Sequence, residues 1–401
     1  MRLMRASAFR FTAAVTLILT GGVSLKAQDQ INVVTTAVPF LRISPDARAG
    51  GMGDLAIATS ADASSSYFNL GKVPFNTIKG GINVTYTPWL KKLVNDVYLA
   101  SMSGYYKLDD LQAISGSLRY FSLGDIQFTD ENGNIGSTGR PREFGIDIGY
   151  SRRLSDRTGV GLGLKYINSN LAQGYAGNGG TTYKPGNAVA ADLGFYHNRQ
   201  NEAGQGWSFG VALTNLGSKI AYTNNADQKD FIPANLGFGT TYTRVLDESN
   251  KFTIGADFNK LLVPTPPQFD PNPGNDPTVA EANTKKAQEY RQQGILSSWF
   301  KSFADAPEGA SEEFKEFQVS LGAEYWYANQ FAVRAGYFFE DKTKGNRRYF
   351  TTGVGLKYNV FGLNFSYLIP SGGTGSNQNP LSNTLRFSLI FDLDNSDSGN
   401  E

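Results

Sequence analysis

The sequence predicts an all-β transmembrane protein: a 14-stranded antiparallel outer-membrane β-barrel with an N-terminal periplasmic hatch, or plug segment. Three observations carry that expectation. Fourteen short stretches alternate apolar and polar residues, no apolar run beyond the N-terminus is long enough for a helical span, and the connections between stretches sort by length. The clearest stretch is Phe361-Gly362-Leu363-Asn364-Phe365-Ser366-Tyr367, whose odd positions suit lipid and whose even positions suit water. Leu385 to Phe391 repeats the pattern.

Composition narrows the class in the same direction. The chain of 401 residues carries 45 Gly, 20 Tyr and 27 Phe, which supply small inward positions and aromatic girdles. With no helical span available, a closed barrel is the remaining way to satisfy every backbone group in hydrocarbon. The chain has no Cys, which excludes disulfides, thiolate catalysis, Cys-based metal sites and a lipoprotein anchor. Its 37 basic and 36 acidic residues leave no footprint for nucleic acid.

In chain order, Arg2, Arg5 and Arg10 precede an apolar stretch from Phe11 to Leu19, which reads as a secretory signal peptide over 1–27, cut after Ala27. Residues 28–78 form the next unit. From Phe40 to Gly71 they are too small and irregular for a membrane strand; Gly50, Gly51 and Gly53 permit close backbone approach or positive φ, and Ala61 to Ser66 suit a confined space. We read them as a periplasm-side hatch that enters the barrel mouth, with Arg48 and Asn69 among its polar members.

The barrel is expected over 79–393, with strands near 79–88, 95–107, 111–122, 142–153, 158–169, 187–198, 206–216, 232–244, 250–260, 315–327, 330–340, 347–359, 361–370 and 382–393. Connections after even-numbered strands are short and most of those after odd ones are long, the alternation of periplasmic turns and extracellular loops. Both chain ends are therefore expected in the periplasm, including a short tail at 394–401. Asp147, Lys165, Asp192, Asp257, Glu324, Arg334, Lys357 and Arg386 fall on inward positions, as a self-paired lattice or, on a sharper reading, a selectivity path for a charged solute. Tyr196, Trp326 and Ile390 face the same way, leaving room for a modest apolar pocket.

The connection at 261–314 is the longest. It opens with six prolines from Pro264 to Pro277, and then residues 278–303 read as helix broken near Gly294 with an aromatic-apolar end: Ile295, Leu296, Trp299, Phe300 and Phe303. An apolar cluster at a loop tip needs something to cover it. Two readings follow, a lid folded over the barrel mouth or a set of anchors inserted into a partner protein.

Signals for chemistry are sparse. His197 is the only histidine and stands at a strand end; a Ser-His hydrolase site of the lipid-deacylase kind is the enzymatic reading, and a polar interface residue the ordinary one. Asp125, Asp130, Glu131 and Asn132, with Gly133 at the turn, offer oxygens near one loop without EF-hand spacing. No His-Glu-x-x-His or phosphate-loop pattern occurs, and no enzyme activity, cofactor or metal is expected.

The run Asp46-Ala47-Arg48-Ala49-Gly50-Gly51-Met52-Gly53, followed by Ala61-Asp62-Ala63-Ser64-Ser65-Ser66-Tyr67-Phe68-Asn69 ahead of a 14-stranded barrel, resembles the FadL superfamily of hydrophobic-compound channels. The hatch of that superfamily ends a related stretch in Asn-Pro-Ala; here Asn69-Leu70-Gly71 stands in its place, without the proline. Within the superfamily, Phe40-Leu41-Arg42-Ile43-Ser44-Pro45-Asp46 and the whole-length layout resemble the PorV (LptO) family of the type IX secretion system of Bacteroidetes. PorQ-like and PorP-like barrels share the Gly-rich core.

The PorV resemblance implies a non-enzymatic interaction protein in outer-membrane lipid. Such a protein binds the SprA (Sov) translocon barrel, receives cargo through its C-terminal signal domain, and delivers it to a PorU-like sortase at the surface. The rival expectation is a FadL-like channel for hydrophobic small molecules, which calls for an apolar lumen pocket and a hatch that shifts.

Overall fold

The computed structural model describes residues 31–89, 96–129, 133, 135–171, 182–224, 229–270, 277–371 and 384–393. The signal segment and the tail expected at 394–401 lie outside them. Fourteen strands close into one barrel. They are β1 (Gly80–Pro88), β2 (Val97–Lys107), β3 (Gln112–Leu123), β4 (Arg142–Arg153), β5 (Thr158–Asn170), β6 (Gly186–Asn198) and β7 (Gly206–Gly217), then β8 (Asn235–Val245), β9 (Asn250–Leu261), β10 (Gln318–Tyr327), β11 (Phe331–Phe339), β12 (Arg348–Tyr358), β13 (Phe361–Pro370) and β14 (Leu385–Leu393). Each pairs antiparallel with its neighbours in sequence, and β14 closes on β1 from Gly80↔Leu393 to Tyr86↔Phe387. Closure leaves no open edge.

The alternation read in the sequence is the alternation of faces. On β13, Phe361, Leu363 and Phe365 are exposed outward while Gly362, Asn364 and Ser366 are buried in the lumen. The same outward belt continues through Ile82 and Val84, Ile146 and Ile148, Leu162 and Leu164, and Leu321. Among the described residues no helix is long and apolar enough to cross a membrane; the strands cross it.

Two strands, β8 and β10, begin about three residues later than expected, and the cause is packing. Ile232, expected in β8, and Phe231 just before it are buried against residues ahead of the barrel, and Pro233 lacks the N–H that a ladder needs. Residues before β10 are taken up by a short helix, and those before β14 at 382–383 lie outside the described set.

The segment ahead of the barrel runs its full height. At the mouth with the long connections, Asn32 N–H donates to Thr343 O at 3.0 Å, Ala37 N–H to Phe231 O at 2.9 Å, and Phe40 stacks on Phe121. Helical turns α1 (Ala47–Gly50) and α2 (Ser65–Phe68) and a 3-10 turn at Leu70–Phe75 follow. At the opposite mouth Lys107 Nζ donates to Asn76 O, and the chain enters β1. The two ends of the barrel share the short-turn mouth, as strand parity requires, but residues 32–42 lie at the other one. Parity counts only the spanning strands, so it does not fix the side on which residues 32–42 lie.

Candidate functional site

The lumen segment is seated by backbone-to-backbone approach at glycines. Gly53 has φ of 69°, a conformation L side chains rarely adopt, and a Cβ there would come within 2.7 Å of both Tyr337 N and O. Gly51 lies against Gly353 Cα, and a side chain at Gly50 would strike Arg386. These are three of the glycines singled out in the sequence. The matching glycines on the barrel wall, Gly336, Gly322, Gly194 and Gly161, carried no sequence signal, since their partners are over a hundred residues away or nearer only through the fold.

Polar contacts fix the rest. Arg48 Nη1 donates to Asp62 Oδ2 at 2.8 Å, and its Nε and Nη2 hold the Glu324 carboxylate on β10. Glu324 in turn accepts from Arg334 Nε at 2.6 Å. Asp257 Oδ2 accepts from the Ala56 and Ile57 N–H groups at 2.7 and 2.9 Å. Asn69 donates to Ile57 O and Phe195 O and accepts from Gly71 N–H, so it ties two parts of the segment to β6.

Among the charged residues placed inward by the sequence pattern, Asp257 is met by backbone N–H groups alone, and the others face opposite charges. Lys165 lies 2.9 Å from Asp192 and 3.2 Å from Asp147, Lys357 2.7 Å from Asp392, and Arg386 3.5 Å from Asp54. Buried charges left single would be costly, and mutual pairing offsets part of that cost. Asn215, at φ 57°, forms a bulge where β7 meets β6, and its amide oxygen accepts from Lys165 Nζ at 2.7 Å. The lumen is thus a paired lattice closed around the segment. A cavity of about 140 Å³ remains on its long-connection side, lined by apolar groups such as Leu41, Ile57 and Phe338 and by charged ones including Arg119, Asp257 and Arg347. Tyr196 is fully buried against Phe75, while Trp326 and Ile390 line a second cavity at the short-turn mouth.

The long connection between β9 and β10 carries α3 (Pro277–Gln292), α4 (Ile295–Lys301) and α5 (Ala310–Lys315). The break falls at Gly294, which is the N-cap of α4. The loop is pinned to the barrel mouth. Lys219 Nζ donates to Arg291 O and Gln293 O, Tyr290 packs on Phe231, and Lys260 and Lys344 bind Glu312, Glu313 and Glu316. Ser298 and Ser302 turn inward and are fully buried.

The other face of the loop is apolar and open. Leu296 is 66% exposed, Phe300 78% and Phe303 46%, whereas Ile295 and Trp299 are half-buried and so contribute less to that surface. Phe314 on α5 of the same connection is also 76% exposed; the sequence reading ended one helix too early to include it.

The nearby connector between β11 and β12 adds a charged clasp. Burial works to raise the Glu340 carboxyl, but hydrogen bonds and charge from Arg347, and charge from Arg42, outweigh it and hold it below the usual carboxylate range. Lys344 is lowered by burial yet raised overall by its bonds to Glu312 and Glu316.

The remaining candidates stand apart. His197 Nδ1 lies 3.0 Å from the Thr158 hydroxyl, a contact between neighbouring strands. Asp125 pairs with exposed Arg140 at 2.9 Å, and residues 130–132 lie outside the described set. Among the described residues no three His, Cys, Asp or Glu side chains converge to hold a metal ion.

Strand closure, the outward apolar belt and the filled lumen define an outer-membrane β-barrel crossed by its own N-terminal segment. The model of the family described as type IX secretion system protein PorV matches residues 25–268. The chain belongs to that family and is an outer-membrane component of type IX secretion. No protein of curated function matches its sequence. Solved structures that resemble it include the toluene transporter TbuX of Ralstonia pickettii, 11% identical over 87% of this chain and 97% of that one, with a TM-score of 0.48. The toluene transporter TodX of Pseudomonas putida is 12% identical over 90% and 98%, with a TM-score of 0.49. A FadL homologue of Pseudomonas aeruginosa is 10% identical over 90% and 99%, with a TM-score of 0.46.

Proposed function

We propose that this barrel works as the shuttle of the secretion system: it binds the SprA (Sov) translocon barrel, takes cargo by its C-terminal signal domain, and passes it to a PorU-like surface sortase. The observation that carries this is the open apolar face of Leu296, Phe300, Phe303 and Phe314 on a loop that is itself clamped to the barrel. Exposed aromatics on a rigid support are what protein anchors require, since little conformational entropy is lost when they are covered. On this reading the long connections face the cell exterior and the short turns the periplasm, and Arg48, Gly50, Gly51, Gly53 and Asn69 serve as the seat of a hatch that keeps the lumen shut.

The lumen favours this reading over a channel for hydrophobic compounds. Its wall is charged and largely paired, and both cavities, about 140 Å³ on the long-connection side and about 440 Å³ at the short-turn mouth, are lined by charged groups as well as apolar ones, where a hydrophobic compound calls for a predominantly apolar site. The test is affinity purification of the tagged protein from its own outer membrane in mild detergent. Recovery of a giant barrel and of proteins sharing one C-terminal domain supports the shuttle; recovery of the barrel alone with lipid in its lumen supports the channel.

A further inference from the structure

The outward face of β4 marks both edges of the membrane. In order it reads Arg142, Phe144, Ile146, Ile148, Tyr150 and Arg152, a cation and an aromatic ring at each end with aliphatic residues between. Arg142 and Arg152 stand ten residues apart. That is roughly 33 Å of strand, and a tilt of about 40° reduces it to the roughly 25 Å height of a barrel's apolar band. Arg142 is therefore at headgroup level on the long-connection side. The ring beneath it belongs to a girdle: Phe144 lies against Tyr166 and pairs in register with Tyr120, which in turn faces Tyr98.

A cavity of about 300 Å³ opens at this level. Between β3 and β4 the chain forms a separate hairpin, Ile126–Thr129 against Ile135–Gly139, whose Phe128 ring lies on Gly139. Phe128, Pro141 and Leu171 give the cavity an apolar side, and Arg140, Arg142 and Asn170 a polar one. Among the described residues no carboxylate lines it. Arg142 is exposed and stands across from Asn170 on β5, and its side chain has no hydrogen bond or ion pair among the described residues. Arg140 is exposed as well. Only its Nε is engaged, by Asp125 at 2.9 Å, and a surface pair of that kind contributes little.

We propose that this cavity binds the phosphate headgroup of a membrane lipid, with Arg142 and Arg140 on the phosphate and the acyl chains running down β4 and β5 past Phe144 and Tyr166. The planar guanidinium fork matches phosphate oxygens, and both side chains are open to receive them. A free anion would meet only the charged end. A lipid also covers the aromatic and aliphatic residues that the same strand exposes in line with Arg142, in the zone where aromatic belts and basic side chains meet headgroups. The site requires only that the barrel lies in a membrane, and it stands apart from the shuttle reading.

The test is native mass spectrometry of the full-length barrel, stripped of lipid in neutral detergent at low salt. It is titrated with dioleoylphosphatidic acid, with dioleoylglycerol, which lacks the phosphate, and with inorganic phosphate. A saturable phosphatidic acid adduct is expected, at least about tenfold tighter than that of dioleoylglycerol and weakened at least about tenfold by Arg142→Gln, as for loss of a charge-assisted hydrogen bond. Arg140→Gln weakens it in the same direction. Arg152→Gln, at the opposite headgroup level and outside the cavity, leaves it unchanged. Four results overturn the proposal: no saturable adduct, equal affinity for the two lipids, displacement of the lipid by an equal concentration of inorganic phosphate, or the same affinity in Arg142→Gln and Arg152→Gln barrels that both migrate as folded, heat-modifiable species.

Discussion

Arg48 and Glu324 meet side-on in the lumen: Nε donates to Oε2 at 2.9 Å and Nη2 to Oε1 at 2.8 Å, across 276 residues of sequence. The same carboxylate holds Arg334, so one acidic group joins the lumen segment to the wall.

Glu324→Ala strands two buried guanidinium groups at once. Breaking a buried pair from one side costs about 3–5 kcal/mol, and the loss falls on the seating of the segment rather than on the strand ladder. The expected result is a lower urea midpoint with greater ion conductance in planar bilayers. Wild-type conductance together with wild-type stability would show that the pair does not hold the segment.

Gly336→Ala tests seating by shape instead of charge. Its Cβ would fall on Gly53 N and the Met52 carbonyl carbon, both backbone atoms that cannot step aside. Hydrogen exchange at residues 50–57 should rise by at least about tenfold while β1 to β14 stay protected, since a local opening of about 1.4 kcal/mol suffices for that factor.

Phe300→Glu places a charge at the centre of the exposed loop face. Barrel assembly should be unchanged, because the side chain is 78% exposed and supports nothing beneath it. Co-purification of translocon and cargo should fall below a tenth of the wild-type level, as roughly 2 kcal/mol or more rests on such an anchor. Trp299→Ala should act more through loop stability, since that ring is half-buried. Undiminished co-purification by Phe300→Glu would remove the loop from the interface.

The clasp at the long-connection mouth gives a pH dependence. Glu340 and Glu312 have folded values below their ordinary ones, each by hydrogen bonds and charge that outweigh burial. A depressed carboxylate contributes stability that is present above its unfolded value and lost as pH falls through its folded value. Lys344 is raised, so its contribution is present below its unfolded value and lost as pH rises through its folded one. The clasp should therefore hold from about pH 5 to 10 and loosen below about pH 4, read as faster exchange of the 340–347 amides in acid with no change near neutrality. Loosening at pH 6 would contradict it.

Much of the fold was legible because it is local. Phe361 to Tyr367 state their two faces by alternation alone, and the parity of short and long connections orders the strands without any knowledge of contacts. Gly294 announced the helix break for the same reason. The sequence grouped Ile295, Leu296, Trp299, Phe300 and Phe303 as one apolar end and passed over Phe314, but it did not tell the half-buried Ile295 and Trp299 from the exposed members, because which side of a short helix meets the barrel depends on Lys219, Lys260 and Lys344 elsewhere in the chain.

The sequence by itself determined the barrel: period-two alternation, fourteen repetitions and an even count leave one closed antiparallel solution in hydrocarbon. It also marked Gly50, Gly51 and Gly53 as places of close approach. Only the tertiary structure decided what they approach, that Arg48 answers Glu324, and that the segment starts at the mouth opposite the barrel's own ends. Those facts arise from contacts between residues far apart in the chain, where closure brings opposite charges and bare backbones into one confined lumen, and no local pattern encodes which partner will be there.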